Sequence, residues 1–147
     1  MARRLQIAGL AIGLAALILQ FAITMPASMA AGRSFVGSVV FYFSFFTILT
    51  NSGAVLVHLA ALRGARTGLL GRFSSVRMRG GVAAAIAMVM IVYAVVLAPL
   101  WQPEGLFLVC DVLLHYVAPI IYLSWWLTGV VCVKFCKLGR PRSWSCG

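Results

Sequence analysis

Four apolar runs, each of the roughly 20 residues that a helix needs to cross a bilayer, leave this chain few ways to fold. They are Leu5–Thr24, Phe35–Leu62, Gly81–Leu100 and Leu106–Phe135. The gaps hold the helix breakers: Pro26 and Gly32, the stretch from Gly64 to Gly80, and Pro103 with Gly105. In hydrocarbon a segment must satisfy its own backbone N–H and C=O groups, and a helix does so. The expected fold is all-α: a polytopic transmembrane bundle of four helices forming one membrane domain over residues 1–147, with a short basic tail from residue 136 onward. Composition agrees. The chain is 63% hydrophobic and 10% charged, whereas a soluble domain carries roughly a quarter charged residues.

Charge asymmetry orients the helices. Arg3 and Arg4 precede the first segment. Arg63, Arg66, Arg72, Arg77 and Arg79 fill the second gap, and Lys134, Lys137, Arg140 and Arg142 follow the fourth segment. If each segment crosses once, eleven of the 12 Lys and Arg residues fall on one side and only Arg33 on the other. Basic residues mark the cytoplasmic side, so both termini are expected in the cytoplasm. The start, MARRLQIAGLAIGLAALILQFAITMPASMAA, also resembles a signal peptide. Its apolar stretch is longer than the usual ~7–15 residues, which favours a retained helix. Under either reading Phe35 begins outside.

Several function classes fall away. The net charge of +10 is spread through the gaps rather than gathered on a soluble face, so it is no nucleic-acid footprint. GxxxxGK[ST], HExxH and CxxC motifs are absent. Cys110, Cys132, Cys136 and Cys146 lack zinc spacing and imply no disulfide framework. Cys132 and Cys136 are one turn apart near a helix end, where acylation stands beside a bystander role. With two acidic residues in all, no dedicated metal site and no cofactor is expected.

The informative stretch is FSFFTILTN, Phe43 to Asn51, in the middle of the second segment. At about 100° per residue, Ser44, Thr47, Thr50, Asn51 and His58 share one helical face. A polar stripe in hydrocarbon faces other helices or a wet cavity, so this face is expected to look inward. The fourth segment has a matching stripe of Asp111, His115, Pro119, Tyr122 and Trp126. Asp111 lies one turn before His115 and can orient its ring. Pro119 has no N–H, so it should free the carbonyl of His115 and kink the helix. Both segments run inward from outside. Thr47 then lies about 18 Å deep and His115 about 14 Å, at ~1.5 Å per residue. A hydroxyl, an imidazole and a carboxylate at one depth are the parts of an activated nucleophile. A structural reading stands beside this one, because Ser and Thr bond back to their own helix and Asn ties helices together. The third segment carries only Tyr93 as a polar group in its middle and reads as packing. Trp101, Trp125 and Trp126 read as interface anchors or core.

The stretches LQFAITM, FYFSFFTILTN and LLHYVAPIIYLSWWL resemble the bacterial predicted six-helix membrane proteins. That family is distantly similar to the animal androgen-induced and androgen-dependent membrane hydrolases, which cleave fatty acid esters of hydroxy fatty acids with an intramembrane Thr and His. The resemblance covers about Leu5 to Leu127 and implies a multi-pass protein of a bacterial plasma membrane. It implies Thr47, after Phe45 and Phe46, as nucleophile and His115, before Pro119, as its base, with Thr50 and Asp111 in support. The family pattern has about six helices and this chain offers four, so a truncated, frame-shifted or divergent member is one expectation.

Together these readings give an integral membrane protein that acts as a hydrolase of lipid esters. Thr47, His115 and Asp111 would be the catalytic residues. Thr50, Asn51 and Tyr122 would bind substrate, with Thr50 or Asn51 donating to the oxyanion. The partners implied are the lipid bilayer and a lipid ester; the sequence names no protein partner. The alternative is a non-enzymatic membrane protein, either a small-molecule or ion conduit or an inactive family member. A conduit needs a wet path through both leaflets, and the apolar third segment favours an enclosed site.

Overall fold

The computed structural model describes residues 2–137, with side chains through residue 129. Among the described residues the chain is helical, without strands. Four spans are long and apolar enough to cross a membrane: Ala2–Ala30, Phe46–Arg63, Val76–Leu97 and Leu106–Gly129. The chain is therefore an α-helical integral membrane protein, with four candidate spans among the described residues. The tail beyond residue 137 and the side chains of Cys132 and Cys136 lie outside the described residues.

The first helix, α1, runs from Ala2 to Ala30 and carries Pro26 inside it. The expected stop at Thr24 does not occur. Proline fits the helical φ and removes one hydrogen bond, a loss that a membrane helix tolerates near its end. The chain turns at Gly32, whose φ is +89°. Ser34 then caps α2, Phe35–Phe43, by accepting from the Gly37 N–H at 3.1 Å.

The second segment is not one helix. It breaks at Ser44 and Phe45, and α3 runs from Phe46 to Arg63. Ser44 ends α2 by donating its hydroxyl back to the carbonyls of Val40 at 3.0 Å and Phe41 at 2.7 Å. Such back-bonding competes with the helical ladder. Phe45 follows in extended backbone, φ −76° and ψ 121°. α3 closes on Gly64 with φ +60°, the left-handed conformation that glycine adopts without a Cβ penalty. A short helix, α4 (Gly68–Phe73), lies in what the sequence reads as loop. Ser75 caps α5, which spans Val76–Val92 and passes through Gly80 and Gly81 without a break.

Both later spans contain a π-turn. One covers Tyr93–Leu97 at the end of α5, and the other covers Leu113–Val117 between α6 (Leu106–Val112) and α7 (Ala118–Lys137). Each starts six residues before a proline, in YAVVLAP and LLHYVAP. A proline ring clashes with the carbonyl four residues back. Widening the turn moves that carbonyl away, and the N–H of Ala98 bonds Tyr93 O while that of Ala118 bonds Leu113 O. In this wider register the carbonyl deprived of a partner by Pro119 is that of Leu114, rather than the expected His115.

Two core layers bracket the middle of the bundle. Ala16, Tyr42, Ile48 and Leu114 form one. Ala54, Val57, Ala83, Ile86, Tyr122 and Trp125 form the other, nearer the arginine-rich end. α1 approaches α3 closely at its glycines. A Cβ on Gly9 would overlap the His58 imidazole, and one on Gly13 would lie 2.9 Å from a Val55 methyl.

Candidate active site

The break between α2 and α3 places Thr47 in the first turn of α3. The π-turn before Pro119 presents His115 toward it, and Thr47 Oγ1 lies 3.3 Å from His115 Nε2. The other ring nitrogen, Nδ1, faces Asp111 twice: 3.0 Å from its backbone carbonyl and 3.2 Å from carboxylate Oδ1. If Nδ1 carries the proton, both contacts accept it, and Nε2 is left as an acceptor for the threonine hydroxyl. Asp111 and His115 keep 12% and 14% of their side chains exposed. That exposure opens on a cavity of about 540 Å³, lined by Thr47, Asp111 and His115 among mostly apolar groups such as Phe41, Phe45, Ile48, Leu97 and Phe107.

Thr50 and Asn51 do not line this cavity. Thr50 donates its hydroxyl to the carbonyls of Phe46 at 2.9 Å and Thr47 at 3.1 Å, within its own helix. Asn51 Nδ2 donates to Thr47 O at 2.9 Å and across to Leu114 O at 3.1 Å. Asn51 thus meets the carbonyl that Pro119 leaves without a partner, and it ties α3 to the π-turn. Both side-chain donors are already engaged, so neither is free for an oxyanion. Free donors lie one turn earlier: among the described residues the N–H groups of Phe46 and Thr47 have no hydrogen-bond partner. They stand at the positive end of the α3 dipole.

Tyr122, expected beside the site, is elsewhere. Its hydroxyl donates to Arg79 O at 3.0 Å, and its ring meets those of His58 and Trp125 edge-on. It lies two turns beyond His115, about 10 Å along the axis, past a π-turn that rotates the helical register. A shared face did not mean a shared depth. His58, whose place near the cytoplasmic exit reads as interfacial in the sequence, is instead core: it packs between Gly9, Tyr122 and Trp125 with 1% exposure, away from the cavity. Ser44 leaves the stripe altogether, since it caps α2 and is exposed. Of the tryptophans, Trp125 is core, whereas Trp101 is 58% exposed and lines the cavity.

Several residues of the site lie outside the two stripes read from the sequence. Gln20, Thr24 and Ser28 line the cavity from α1, together with Arg33 beyond its end. Gln20 donates to Thr24 at 2.8 Å, and Ser28 Oγ is buried with no partner among the described residues. Their spacing of four puts them on one face of α1; the stripe argument applied to the first segment would have found Gln20 and Thr24, whereas Ser28 lies beyond the stop expected at Thr24. Tyr93 is the other. Its ring stacks on His115 at 3.8 Å and 17° between planes, and its hydroxyl donates to Asp111 Oδ2. As a single tyrosine in an apolar helix it carried no periodic signal. No family model matches this chain, and neither a curated protein nor a solved structure is similar to it at a significant level.

Proposed function

We propose that this integral membrane protein is an intramembrane hydrolase of lipid esters, with Thr47 as nucleophile, His115 as general base and Asp111 as its orienting group. The reading rests on one observation: the 3.3 Å contact from Thr47 Oγ1 to His115 Nε2 at the wall of a largely apolar cavity, with Nδ1 of the same ring on Asp111. An apolar cavity between spans suits an acyl chain. In the first step Thr47 Oγ1 attacks the ester carbonyl carbon while its proton passes to His115 Nε2. The negative charge that develops on the carbonyl oxygen would meet the N–H groups of Phe46 and Thr47. Collapse breaks the bond to the alcohol oxygen, which takes the proton back from His115. Water, deprotonated in turn by His115, then attacks the acyl-threonine and releases the carboxylic acid and free Thr47.

The expected outcome is hydrolysis of a long-chain acyl ester by the purified chain in detergent or nanodiscs. Thr47→Ala and His115→Ala abolish turnover while keeping helical content and membrane insertion, and Thr47→Ser retains part of it. A parent protein without turnover on any acyl ester, together with a Thr47→Ala variant labelled by a lipid fluorophosphonate as fast as the parent, would refute the assignment. The split of basic residues supports both termini in the cytoplasm, with the Arg33 side of the cavity opposite; the resemblance to bacterial membrane proteins supports a bacterial plasma membrane. Against a conduit stands the second core layer. His58, Tyr122 and Trp125 pack together between the cavity and the arginine-rich end.

A further inference from the structure

Tyr93 belongs to no step above, yet it touches both the base and the carboxylate that orients it. It opens the π-turn on the third span, is 5% exposed, and lines the cavity. Its ring lies flat on the His115 imidazole, and its hydroxyl donates to the outer oxygen of Asp111. Two freedoms could otherwise spoil the base. The torsion of a carboxylate about its terminal bond is broad rather than confined to sharp wells, so Asp111 could turn Oδ1 away from the ring. The imidazole could also swing, because Nδ1 has a second acceptor in the Asp111 carbonyl at 3.0 Å, nearer than Oδ1 at 3.2 Å. The tyrosine hydroxyl takes up Oδ2 and leaves Oδ1 for Nδ1. The stacked ring confines the imidazole to one plane. When His115 accepts the proton of Thr47, the same ring presents its negative face to an imidazolium.

We infer that Tyr93 is a positioning residue: it holds Asp111 and the His115 ring in the arrangement that keeps the proton on Nδ1 and leaves Nε2 free for Thr47. Its role in turnover rests on the reading of His115 as a base; its control of the His115 proton does not. The two π-turns bring this about together. Each begins six residues before a proline, one supplies Tyr93 and the other His115, and π-turns inside helices are frequent at functional sites.

The test uses the full chain in nanodiscs with ¹⁵N-labelled histidine, the His115 signals being assigned by their loss in His115→Gln. In the parent, Nδ1 of His115 carries the proton and Nε2 does not. Tyr93→Phe keeps the stack and removes the hydroxyl. It should yield a mixture of tautomers, and kcat on an acyl ester about 10- to 100-fold lower, by analogy with losing the partner that orients a metal-bound histidine, with KM within about twofold. Tyr116→Phe, whose ring meets Tyr93 edge-on at 5.6 Å, should change neither. A merely structural tyrosine would lower the melting temperature of the Phe variant and leave the tautomer of His115 as in the parent; that result overturns the inference. Should the Phe variant fail to fold, 3-fluorotyrosine incorporation tests the same bond. A stronger phenol donor draws on Asp111 and moves the His115 Hδ1 resonance, whereas an unmoved resonance overturns the inference. If the parent hydrolyses no ester, the proposed function fails, and the tautomer arm still decides the role of Tyr93.

Discussion

Replacing Asn51 with alanine tests whether the polar stripe on α3 exists to repair the π-turn. Asn51 is 1% exposed and makes two bonds, to Thr47 O and Leu114 O. They are not equal. Thr47 O also accepts from the Thr50 hydroxyl at 3.1 Å, so losing one donor there is cheap. Leu114 O has no alternative: the N–H of Ala118 goes to Leu113 O, and the next residue is Pro119. Stranding a buried acceptor costs about 1–3 kcal/mol, so Asn51→Ala should destabilise the fold by about that much. Pro119→Ala supplies the missing N–H and removes the ring that forced the wide turn. In that background the helix can close normally and Asn51 has nothing to repair. The double variant should therefore be less destabilised than the sum of the singles, by at least about 1 kcal/mol. Equilibrium unfolding in mixed micelles, followed by circular dichroism, gives all four corners of the cycle. Additivity within about 0.5 kcal/mol would refute the link between Pro119, Leu114 and Asn51.

Tyr122→Phe removes one hydrogen bond, to Arg79 O. It should lower stability by about 1 kcal/mol and leave KM and kcat unchanged; a raised KM would return Tyr122 to the substrate site. Reporter fusions after Arg79 should read cytoplasmic and fusions after Glu104 periplasmic, and a Gly64–Gly80 stretch found outside would overturn the proposed orientation.

Much of the architecture was legible because bilayer thickness and backbone satisfaction leave so few solutions for four apolar runs. The pairing of Thr47 with His115 was legible for a similar reason: polar groups are scarce in such runs, and depth counted at a constant rise placed both near the middle. The assumption of an unbroken 100° helix hid much of the rest. This chain departs from it at the Ser44–Phe45 break and at the two π-turns, Tyr93–Leu97 and Leu113–Val117. Ser44 turned its hydroxyl on its own helix and ended it, which removed Ser44 from the stripe. Pro119 widened the turn and moved the orphan carbonyl from His115 to Leu114, which gave Asn51 a structural partner instead of a substrate. Tyr122 shares the sequence face of His115, but seven residues of ordinary helical rise already put it about 10 Å from the site. Tyr93 was invisible for another reason. Its partners come from a different helix, and one tyrosine among apolar neighbours looks the same whether it packs or positions.

The split between α2 and α3 also bears on how the chain enters the membrane. The machinery that inserts helices reads total apolarity over a segment, and α3 is the least apolar of the four spans. It carries Thr47, Thr50, Asn51 and His58, each a burden on partitioning. The nine residues of α2, FVGSVVFYF, are too short to cross alone, but they precede α3 with little more than Ser44 and Phe45 between. Counted together with α2, the stretch from Phe35 to Arg63 offers the insertion machinery a longer and more apolar segment than α3 alone, so α2 offsets the polarity that α3 carries.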